Sequence, residues 1–396
     1  MRVVLGVDTY APDVNGSAQF SRRLALGLTE RGHEVHVVCA SDRGPGRVES
    51  VDGVIEHRIR SYRYPWAESF RVCMPWDAKL QVNRLLTDLR PDVAHLQCHI
   101  LLGRALAAAA RSHDVPLVAT NHFMPENVFG YVPLPRALTR RLVSSWVWWD
   151  LNRVFGRADL VTAPTPRAVE LLEANTNIRG ARAVSCGIDS DRYWQASQLA
   201  GTGDGPSVLF VGRLDQEKHV DQLIRAFAQL PSDLSASLEI IGDGEERSVL
   251  RALAARLGVE DRVHFHGFVS DAQLLAAYGR CAVFCMPGVA ELQSLVTLEA
   301  MSAGKPVVAA DAMALPHLVH HGRNGWLFAP GDVEDLTGRL SDLLSDPQRR
   351  RRMGEASRAI VAEHALSATL DSFEEIYNRV AGRREVAVDE DEEEAA

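Results

Sequence analysis

The sequence opens with MRVVLGVDTYAPDVNGSAQFSRRLALGLTERGHEVHVVCA (residues 1–40), and this stretch decides the fold class. The apolar run 3–7 predicts a strand, and Ser17 to about Arg31 predicts a helix that Gly32 can end before a second apolar strand. A strand, a helix and a strand in this order form a βαβ unit, which builds parallel sheets. We therefore predict an α/β fold.

The same alternation continues in two series along the chain. The first series includes PDVAHLQ (91–97), PLVATNH (116–122) and ADLVTAP (158–164). The second includes SVLFVGR (207–213), LEIIGDG (238–244), RVHFHGF (262–268), CAVFCMP (281–287), KPVVAAD (305–311) and GWLFAP (325–330). Because a Gly-rich polar stretch separates them, we predict domains at 1–195 and 207–384, a linker at 196–206, and a tail at 385–396. The last helix could return to the first domain.

Length and composition agree with a two-domain globular protein. A chain of 396 residues exceeds one ordinary core, and 46% hydrophobic with 24% charged residues is typical of a globular protein. No run of 18 apolar residues and no secretory signal is evident, so we expect a cytoplasmic protein. The six cysteines are scattered, which indicates free thiols rather than disulfides or a zinc site.

The net charge of −9 is unevenly distributed. Residues 1–200 contain 24 Lys and Arg against 20 Asp and Glu, whereas residues 201–396 contain 19 against 32. The tail holds seven of those acids and little that could form a core, so we predict that 385–396 is disordered. Solubility is the simple account of such a tail, and a docking role is the alternative.

Asn15-Gly16 lies in the loop after the first strand, immediately before a helix. Glycine allows a close backbone approach and a helix N-terminus favours negative charge, so a phosphate could lie near Gly16. Asn-Gly is also an ordinary turn. The loop lacks the GxGxxG pattern and its partner acid, which argues against a nicotinamide dehydrogenase.

The segment VGRLDQEKHVDQLIRAF (211–227) places Arg213 and Lys218 between a strand and a helix. Such cations suit a diphosphate, although solvated surface cations are the alternative. Further on, AELQSLVTLEAMSAGKPVV (290–308) contains Glu291 and Glu299, eight residues apart. A carboxylate accepts from paired sugar hydroxyls, and the predicted helix N-terminus near Ser294 can offer N–H groups to a diphosphate.

GRLDQEK, followed by two glutamates before AMSAGKPVVAAD, resembles the retaining glycosyltransferases of family 4. Nearly the whole chain is similar, including DTYAPDVNG, IGDGEER, CGID and HGRNGWLFAPGD. The resemblance implies the GT-B fold, in which two Rossmann-like parallel-sheet domains face a cleft. It also implies a nucleotide-sugar donor with no cofactor and no metal. Front-face attack, with the leaving phosphate taking the acceptor proton, would then need no enzyme nucleophile.

The resemblance assigns roles residue by residue. Arg213 and Lys218 would hold the diphosphate, Glu299 the ribose and Glu291 the hydroxyls of the transferred sugar. Gly16 would approach the phosphates, and the remaining donor contacts would come from Gln293, Ser294 and Leu295. His122 corresponds to a histidine beside the transferred sugar, although a core histidine is the alternative. Gln293-Ser294 replaces the Phe-Gly of many members, and Cys186 replaces a usual Asn.

The Gln293-Ser294 variant, DTYAPDVNG, ESFRVCMPW (68–76) and ALPHLV (314–319) resemble the branch that glycosylates lipids such as diacylglycerol. The segment 134–157 places cations beside tryptophans, namely Arg136, Arg140, Arg141, Trp146 and Trp149. That combination suits an anionic membrane surface. A buried helix with a basic end is the alternative.

We therefore expect a hexosyltransferase that uses UDP-glucose or GDP-mannose, acts on a lipid acceptor and is peripheral at the inner membrane face. The alternatives are the same chemistry on a small soluble acceptor, and a non-catalytic nucleotide-sugar-binding protein. No nucleic-acid partner is expected. The sequence indicates neither the donor base nor the oligomeric state.

Overall fold

The computed structural model describes residues 1–13, 15–64, 67–125, 136–199, 201 and 205–395, without the side chains of 67–70, 136–141 and 383–395. The chain divides into two compact units. The first unit comprises Met1–Ser185 and Ser367–Ala396, and the second comprises Cys186–Leu366. The predicted linker, 196–206, therefore lies inside the second unit.

Eleven of the described strands follow the predicted apolar runs, whereas the five strands at residues 47–73 and 182–183 were not predicted. The strands are β1 (Arg2–Gly6), β2 (Glu34–Ala40), β3 (Arg47–Val51), β4 (Val54–Ile59), β5 (Ser61–Tyr64), β6 (Ala67–Cys73), β7 (Val93–Leu96), β8 (Leu117–Thr120), β9 (Leu160–Ala163), β10 (Arg182–Ala183), β11 (Ser207–Val211), β12 (Ser237–Ile241), β13 (Val263–Gly267), β14 (Val283–Met286), β15 (Val307–Ala310) and β16 (Gly325–Phe328).

Helices connect most of these strands. They are α1 (Gly16–Glu30), α2 (Pro75–Leu89), α3 (Leu101–Ser112), α4 (Arg136–Phe155), α5 (Pro166–Asn175), α6 (Ser190–Leu199), α7 (Val220–Ala228), α8 (Arg247–Arg256), α9 (Asp271–Arg280), α10 (Leu295–Ser302), α11 (Leu315–Leu318), α12 (Val333–Ser345), α13 (Pro347–Val361) and α14 (Leu366–Ala395).

The first unit contains an eight-stranded sheet in the order β10-β9-β8-β7-β1-β2-β4-β3. All neighbours in it are parallel except β3 and β4, and β5 pairs with β6 as a separate antiparallel hairpin. One apolar cluster joins α2, α3 and α4 to this sheet through residues such as Val82, Leu106 and Leu151. The core of the first unit is thus built as predicted for a covered parallel sheet.

The second unit contains a six-stranded, fully parallel sheet in the order β13-β12-β11-β14-β15-β16. Each sheet has a topological switch point, where successive strands begin to be added on the other side of the first strand. It lies between β1 and β7 in the first unit and between β11 and β14 in the second. Ligands of such sheets bind beyond the carboxyl ends of strands at a switch point. The loops after these four strands are therefore the places to look for a site.

α6 explains why the Gly-rich stretch is not a boundary. It contacts α9 and α10 of the second unit. Trp194 of α6 lies under the Arg358 guanidinium, 3.8 Å from ring centroid to Cζ. Composition predicted a linker from residue 196, whereas α6 extends to Leu199 and its packing decides to which unit it belongs.

α14 returns to the first unit, where it packs against α1. The rings of Phe20 and Phe373 lie 5.8 Å apart, and a Cβ on Gly27 would lie 2.5 Å from Leu370 Cδ1. Residues 385–395, predicted as a disordered tail, are helical instead and continue α14. Glu and Ala are strong helix formers, and extending an existing helix avoids the cost of a new nucleus.

Candidate active site

Arg213 and Lys218 lie in the loop that follows β11, at the switch point of the second unit. Arg213 forms ion pairs with Asp215 and, at 2.9 Å, with Glu217. Lys218 ends a 3-10 turn over Gln216–Lys218, and its Nζ lies 2.5 Å from Glu291 Oε1. Both predicted cations therefore lie at this edge of the sheet, and each contacts at least one carboxylate.

Glu291 lies in the loop after β14, the strand on the other side of the switch point. The Val289 N–H donates to the Glu217 carbonyl at 3.3 Å, so the backbones of the two loops are also joined. The side chains of Lys218 and Glu291 are 15% and 12% exposed. This partly buried ion pair brings together residues 73 positions apart in the sequence.

Glu299 is a buried acid in α10. It is 7% exposed and accepts a hydrogen bond from the Tyr278 hydroxyl at 2.9 Å. Burial raises the pKa of Tyr278 well above its usual value, so the phenol remains a donor. Tyr278 was not singled out in the sequence, because an aromatic residue inside a helix is indistinguishable there from an ordinary core residue.

The predicted donor contacts Gln293, Ser294 and Leu295 lie at the start of α10 and are buried. Ser294 is the N-cap residue, and its hydroxyl accepts from Thr297 Oγ1 at 2.9 Å. The Gln293 side chain accepts from the Cys186 N–H at 2.8 Å. The Gln293 amide therefore also has a structural role, which the sequence analysis did not assign.

Two glycines of the IGDG segment pack against the Arg213 loop. A Cβ on Gly242 would lie 1.9 Å from the Gly212 carbonyl oxygen, and one on Gly244 would lie 2.6 Å from that of Leu214. Only glycine permits this approach of two backbones. The loops after β11 and β12 are thereby held together, and the Leu214 N–H donates to the Asp243 carbonyl at 3.0 Å.

In the first unit, Gly16 is the first residue of α1. Its neighbour Asn15 caps the helix by accepting from the Ala18 N–H at 2.9 Å, and it also accepts from Thr9 Oγ1 at 3.2 Å. Gly16 thus lies at a capped helix N-terminus beyond the carboxyl end of β1, where a backbone can approach an anion.

His122 follows β8. Its Nε2 lies 2.9 Å from Gln97 Oε1, and its ring lies 4.7 Å from that of Phe20. Burial lowers the pKa of His122 to about 3, so the imidazole is neutral at physiological pH. Because Oε1 of Gln97 can only accept, the proton of the neutral ring lies on Nε2. Gln97 was not singled out in the sequence.

Asp8 is a second residue that the sequence analysis missed. Its Oδ1 accepts from the N–H groups of Leu101 and Leu102 at 3.1 and 2.9 Å, at the start of α3. Burial raises the pKa of this carboxyl above its usual value. Asp8 thereby joins the loop after β1 to the one after β7, the two strands of the switch point.

α4 carries the residues predicted to meet a membrane. The side chains of Arg136, Arg140 and Arg141 lie outside the described residues. Trp146 and Trp149 are 60% and 56% exposed, and Leu142 is 69% exposed. Val147, Trp148 and Leu151 are buried instead. The exposed residues recur at helical spacing, so α4 presents an apolar stripe that the buried-helix alternative does not explain.

Neither a metal cluster nor a membrane-spanning helix is found in the described part of the chain. No group of three or more His, Cys, Asp or Glu residues there could hold a metal ion. Likewise, none of the helices described is long and apolar enough to cross a membrane.

Both parts of the chain match known families. Residues 14–192 match the family described as Glycosyltransferase Family 4, and residues 195–360 match the one described as Glycosyl transferases group 1. The two matches together span the loops after β8, β11 and β14, and the first match begins at the end of the loop that precedes α1.

The chain is similar over most of its length to known proteins, among them the following three. The GDP-mannose-dependent alpha-mannosyltransferase of Mycolicibacterium smegmatis is 32% identical, over 97% of this chain and 99% of that protein. The sulfoquinovosyl transferase SQD2 of Arabidopsis thaliana is 30% identical, over 84% of this chain and 64% of that protein. The solved sucrose-phosphate synthase from Thermosynechococcus elongatus has a TM-score of 0.79 at 22% identity, covering 96% of this chain and 99% of its own.

Proposed function

The chain belongs to the family 4 glycosyltransferases, and from this premise we propose that it transfers a hexose with retention of anomeric configuration. Membership of this family makes the chain a glycosyltransferase of the GT-B fold that uses nucleotide sugars. The observation that supports the proposed chemistry best is the ion pair of Lys218 and Glu291 beside Arg213, at the switch point of the second unit.

We assign Arg213 and Lys218 to the donor diphosphate. In the free protein both cations contact carboxylates, so an arriving diphosphate exchanges one anionic partner for another. This exchange releases Glu291 to accept from the hydroxyls of the transferred sugar. The cations then stabilise the charge that develops on the leaving diphosphate, which is the main electrostatic requirement of this chemistry.

Glu299 and the start of α10 complete the donor assignment. Tyr278 orients the Glu299 carboxylate, which can accept from both hydroxyls of a ribose. The N–H groups near Ser294 and Leu295 lie at a helix N-terminus, where an anion is favoured. In the first unit we assign Gly16 to the phosphates and His122 to the transferred sugar, with Gln97 holding the histidine in one tautomer.

For the acceptor we propose a membrane lipid of the diacylglycerol type. The exposed stripe of Leu142, Trp146 and Trp149 on α4 supports this assignment, because such residues favour the membrane interface. The arginines at 136, 140 and 141 stand in the first turns of the same helix. An enzyme at the inner face of a membrane would meet its lipid acceptor there and its nucleotide sugar in water.

The test is a panel of donors and acceptors with product analysis. GDP-mannose and UDP-glucose are each offered with diacylglycerol in mixed micelles and with small soluble alcohols. Mass spectrometry identifies the product, and proton NMR of the anomeric centre identifies its configuration. We expect a hexosyl lipid with the configuration of the donor. An inverted product would reject the retaining mechanism, and efficient use of soluble alcohols alone would reject the lipid acceptor.

A further inference from the structure

A cavity of about 790 Å³ lies within the first unit, among the ends of α3 and α4, the start of β9 and the loop before β10. Six arginines line it: Arg111, Arg153, Arg157, Arg179, Arg182 and Arg379. Asp159 is the one carboxylate among the lining residues that the structure describes, and its Oδ2 accepts from the Leu117 N–H at 2.7 Å. A cavity of this volume is large enough for a small-molecule ligand.

Most of these arginines lack an acidic partner within the described part of the first unit. Arg182 pairs with Glu375 at 3.2 Å, and Arg179 donates to backbone carbonyls at the end of α5. No ion pair joins Arg111, Arg157 or Arg379 to a carboxylate among the side chains that the structure describes. The positive charge of the cavity is therefore left largely uncompensated by these side chains.

Helix dipoles do not account for the cluster. α3, α4 and α5 end near the cavity, and each helix C-terminus carries roughly half a negative charge. Three such ends amount to about −1.5 charges, well below the charge of six arginines. The dipoles explain why cations are tolerated here. The charge that they leave is positive and suits an anionic ligand, although Arg111, Arg153, Arg179 and Arg379 are exposed and therefore also solvated.

The cavity is separate from the residues that we assign to the transfer reaction. Leu160 and Val161, at the amino end of β9, line it, whereas Gly16 and His122 follow the carboxyl ends of β1 and β8. A strand of four residues spans about 13 Å at 3.3 Å per residue. A ligand in this cavity would thus occupy the opposite edge of the sheet.

We propose that this cavity is a binding site for a phosphorylated ligand. The arginine guanidinium presents paired N–H donors that match phosphate oxygens, and arginines of α3, α4 and α14 line this one cavity. The ligand would join α14, the returning helix, to the rest of the first unit through Arg379.

The phosphate could belong to a free metabolite or to a lipid headgroup. Arg153 of the cavity stacks on Trp149, with Cζ 5.7 Å from the ring centroid, so the apolar stripe of α4 leads directly into the arginines. A headgroup in the cavity would place its lipid beside this stripe. Both sources would bind through their phosphate oxygens, and the experiment below separates them by using a soluble probe and a vesicle.

The experiment measures binding of pyrophosphate by calorimetry and of phosphatidylcholine vesicles, with and without phosphatidic acid, by sedimentation. The full chain carries Arg213→Ala and Lys218→Ala, which remove the proposed donor site. Into this background we introduce Arg157→Gln with Arg379→Gln. We expect each arginine substitution to weaken binding roughly tenfold. Arg111→Gln with Arg157→Gln provides a second pair should the first fail to fold.

The matched control is Arg84→Gln with Arg256→Gln, two exposed arginines outside the cavity. Weaker pyrophosphate binding in the cavity variant alone, with its retention by phosphatidic-acid vesicles unchanged, identifies a free phosphorylated ligand. Failure of that variant alone to bind phosphatidic-acid vesicles identifies a headgroup. The proposal is overturned if the parent binds neither probe, or if cavity and control variants behave alike in both arms. None of these outcomes depends on the donor assignment.

Discussion

At the scale of single residues, the acids around the switch point of the second unit are as informative as the cations. Asp215 and Glu217 hold Arg213, and Glu291 holds Lys218. These pairs keep two cations and their loops in place before any donor arrives. Under the proposed assignment of these cations to the donor diphosphate, donor binding is an exchange of partners, so mutations of the acids and of the cations should differ in their effects.

Removing either cation should reduce turnover strongly. A charge-assisted contact is worth about 1.5–3 kcal/mol, so Arg213→Ala or Lys218→Ala should each lower kcat/KM roughly ten- to a hundredfold. Steady-state kinetics with the preferred donor measures the effect. Arg256→Ala, an exposed arginine in the same unit, is the control. Full activity in both single variants would falsify the diphosphate assignment.

The two glutamates should separate binding from transfer. Glu299→Gln should weaken binding of the nucleoside diphosphate, because its assigned partner is the ribose. Glu291→Gln should leave that binding intact or slightly stronger, since it frees Lys218, and should still impair sugar transfer. Calorimetry with the sugar-free nucleotide measures the difference. Equal weakening by both substitutions would show that the assignment is wrong.

Gln97 should control the protonation of His122. In Gln97→Glu a carboxylate replaces the amide 2.9 Å from Nε2 and should raise the pKa of His122 from about 3 toward neutrality. A raised pKa means that the imidazole becomes charged as pH falls, so activity should be lost on the acid side. The pH dependence of kcat/KM measures this loss.

The control for that experiment is Gln97→Met, which removes the acceptor without adding charge. Its activity should fall by a similar factor at every pH. If the Glu and Met variants instead have parallel pH profiles, the neutral tautomer of His122 is not required for the reaction.

At the scale of elements, α4 has two distinct faces. Val147, Trp148 and Leu151 belong to the core face, whereas Trp146 and Trp149 belong to the exposed stripe. Apolar residues exposed at helical spacing are costly in water unless they serve an interface. The alternation of buried and exposed tryptophans is therefore the strongest structural support for the membrane proposal.

Polar substitution of this stripe should reduce membrane binding and leave folding intact. Trp146→Ser with Trp149→Ser should lower retention by anionic vesicles several-fold, because apolar burial at the interface is lost. Sedimentation with anionic and neutral vesicles measures retention, which should also fall as salt rises. Phe268→Ser, 70% exposed in the second unit, is the matched control. Unchanged retention of the double variant would exclude the stripe from the interface.

At the scale of the whole molecule, the chain returns to its first unit after completing the second. Phe373, Ile376, Tyr377 and Val380 of α14 are buried. The Tyr377 hydroxyl lies 2.7 Å from His95 Nδ1 on β7, and Arg31 pairs with Asp371 and Glu374. The last helix is thus part of the first core, although it is the most distant segment in sequence.

Deleting residues 367–396 should prevent stable folding of the first unit. Burying four large side chains at about 1.5–3 kcal/mol each contributes about 6–12 kcal/mol, comparable to the entire stability of a typical domain. The single substitution Phe373→Ala should lower the free energy of unfolding by about 3–5 kcal/mol. Deleting only 385–396 is the control and should leave thermal unfolding unchanged. If the variant that lacks residues 367–396 unfolds at the same temperature as the full-length protein, this role of α14 is wrong.

The sequence alone determined the α/β class, the GT-B fold and the family, and all three are confirmed. It could do so because they rest on local signals. Apolar runs alternate with helices along the chain, and the motifs around Arg213, Glu291 and Glu299 stand in a fixed order. The periodicity of apolar residues and the short motifs depend only on residues that are close in sequence. They can therefore be recognised without knowing which elements pack against each other.

Only the tertiary structure decided how distant residues meet. It paired Lys218 with Glu291, placed Gln97 against His122, and oriented Glu299 through Tyr278. It also placed α14 in the first unit and gathered arginines from 111 to 379 around one cavity. Such contacts depend on the positions of strands and helices in space. The spacing of residues along the chain does not predict these contacts, because the same contact can be made across connecting loops of many different lengths.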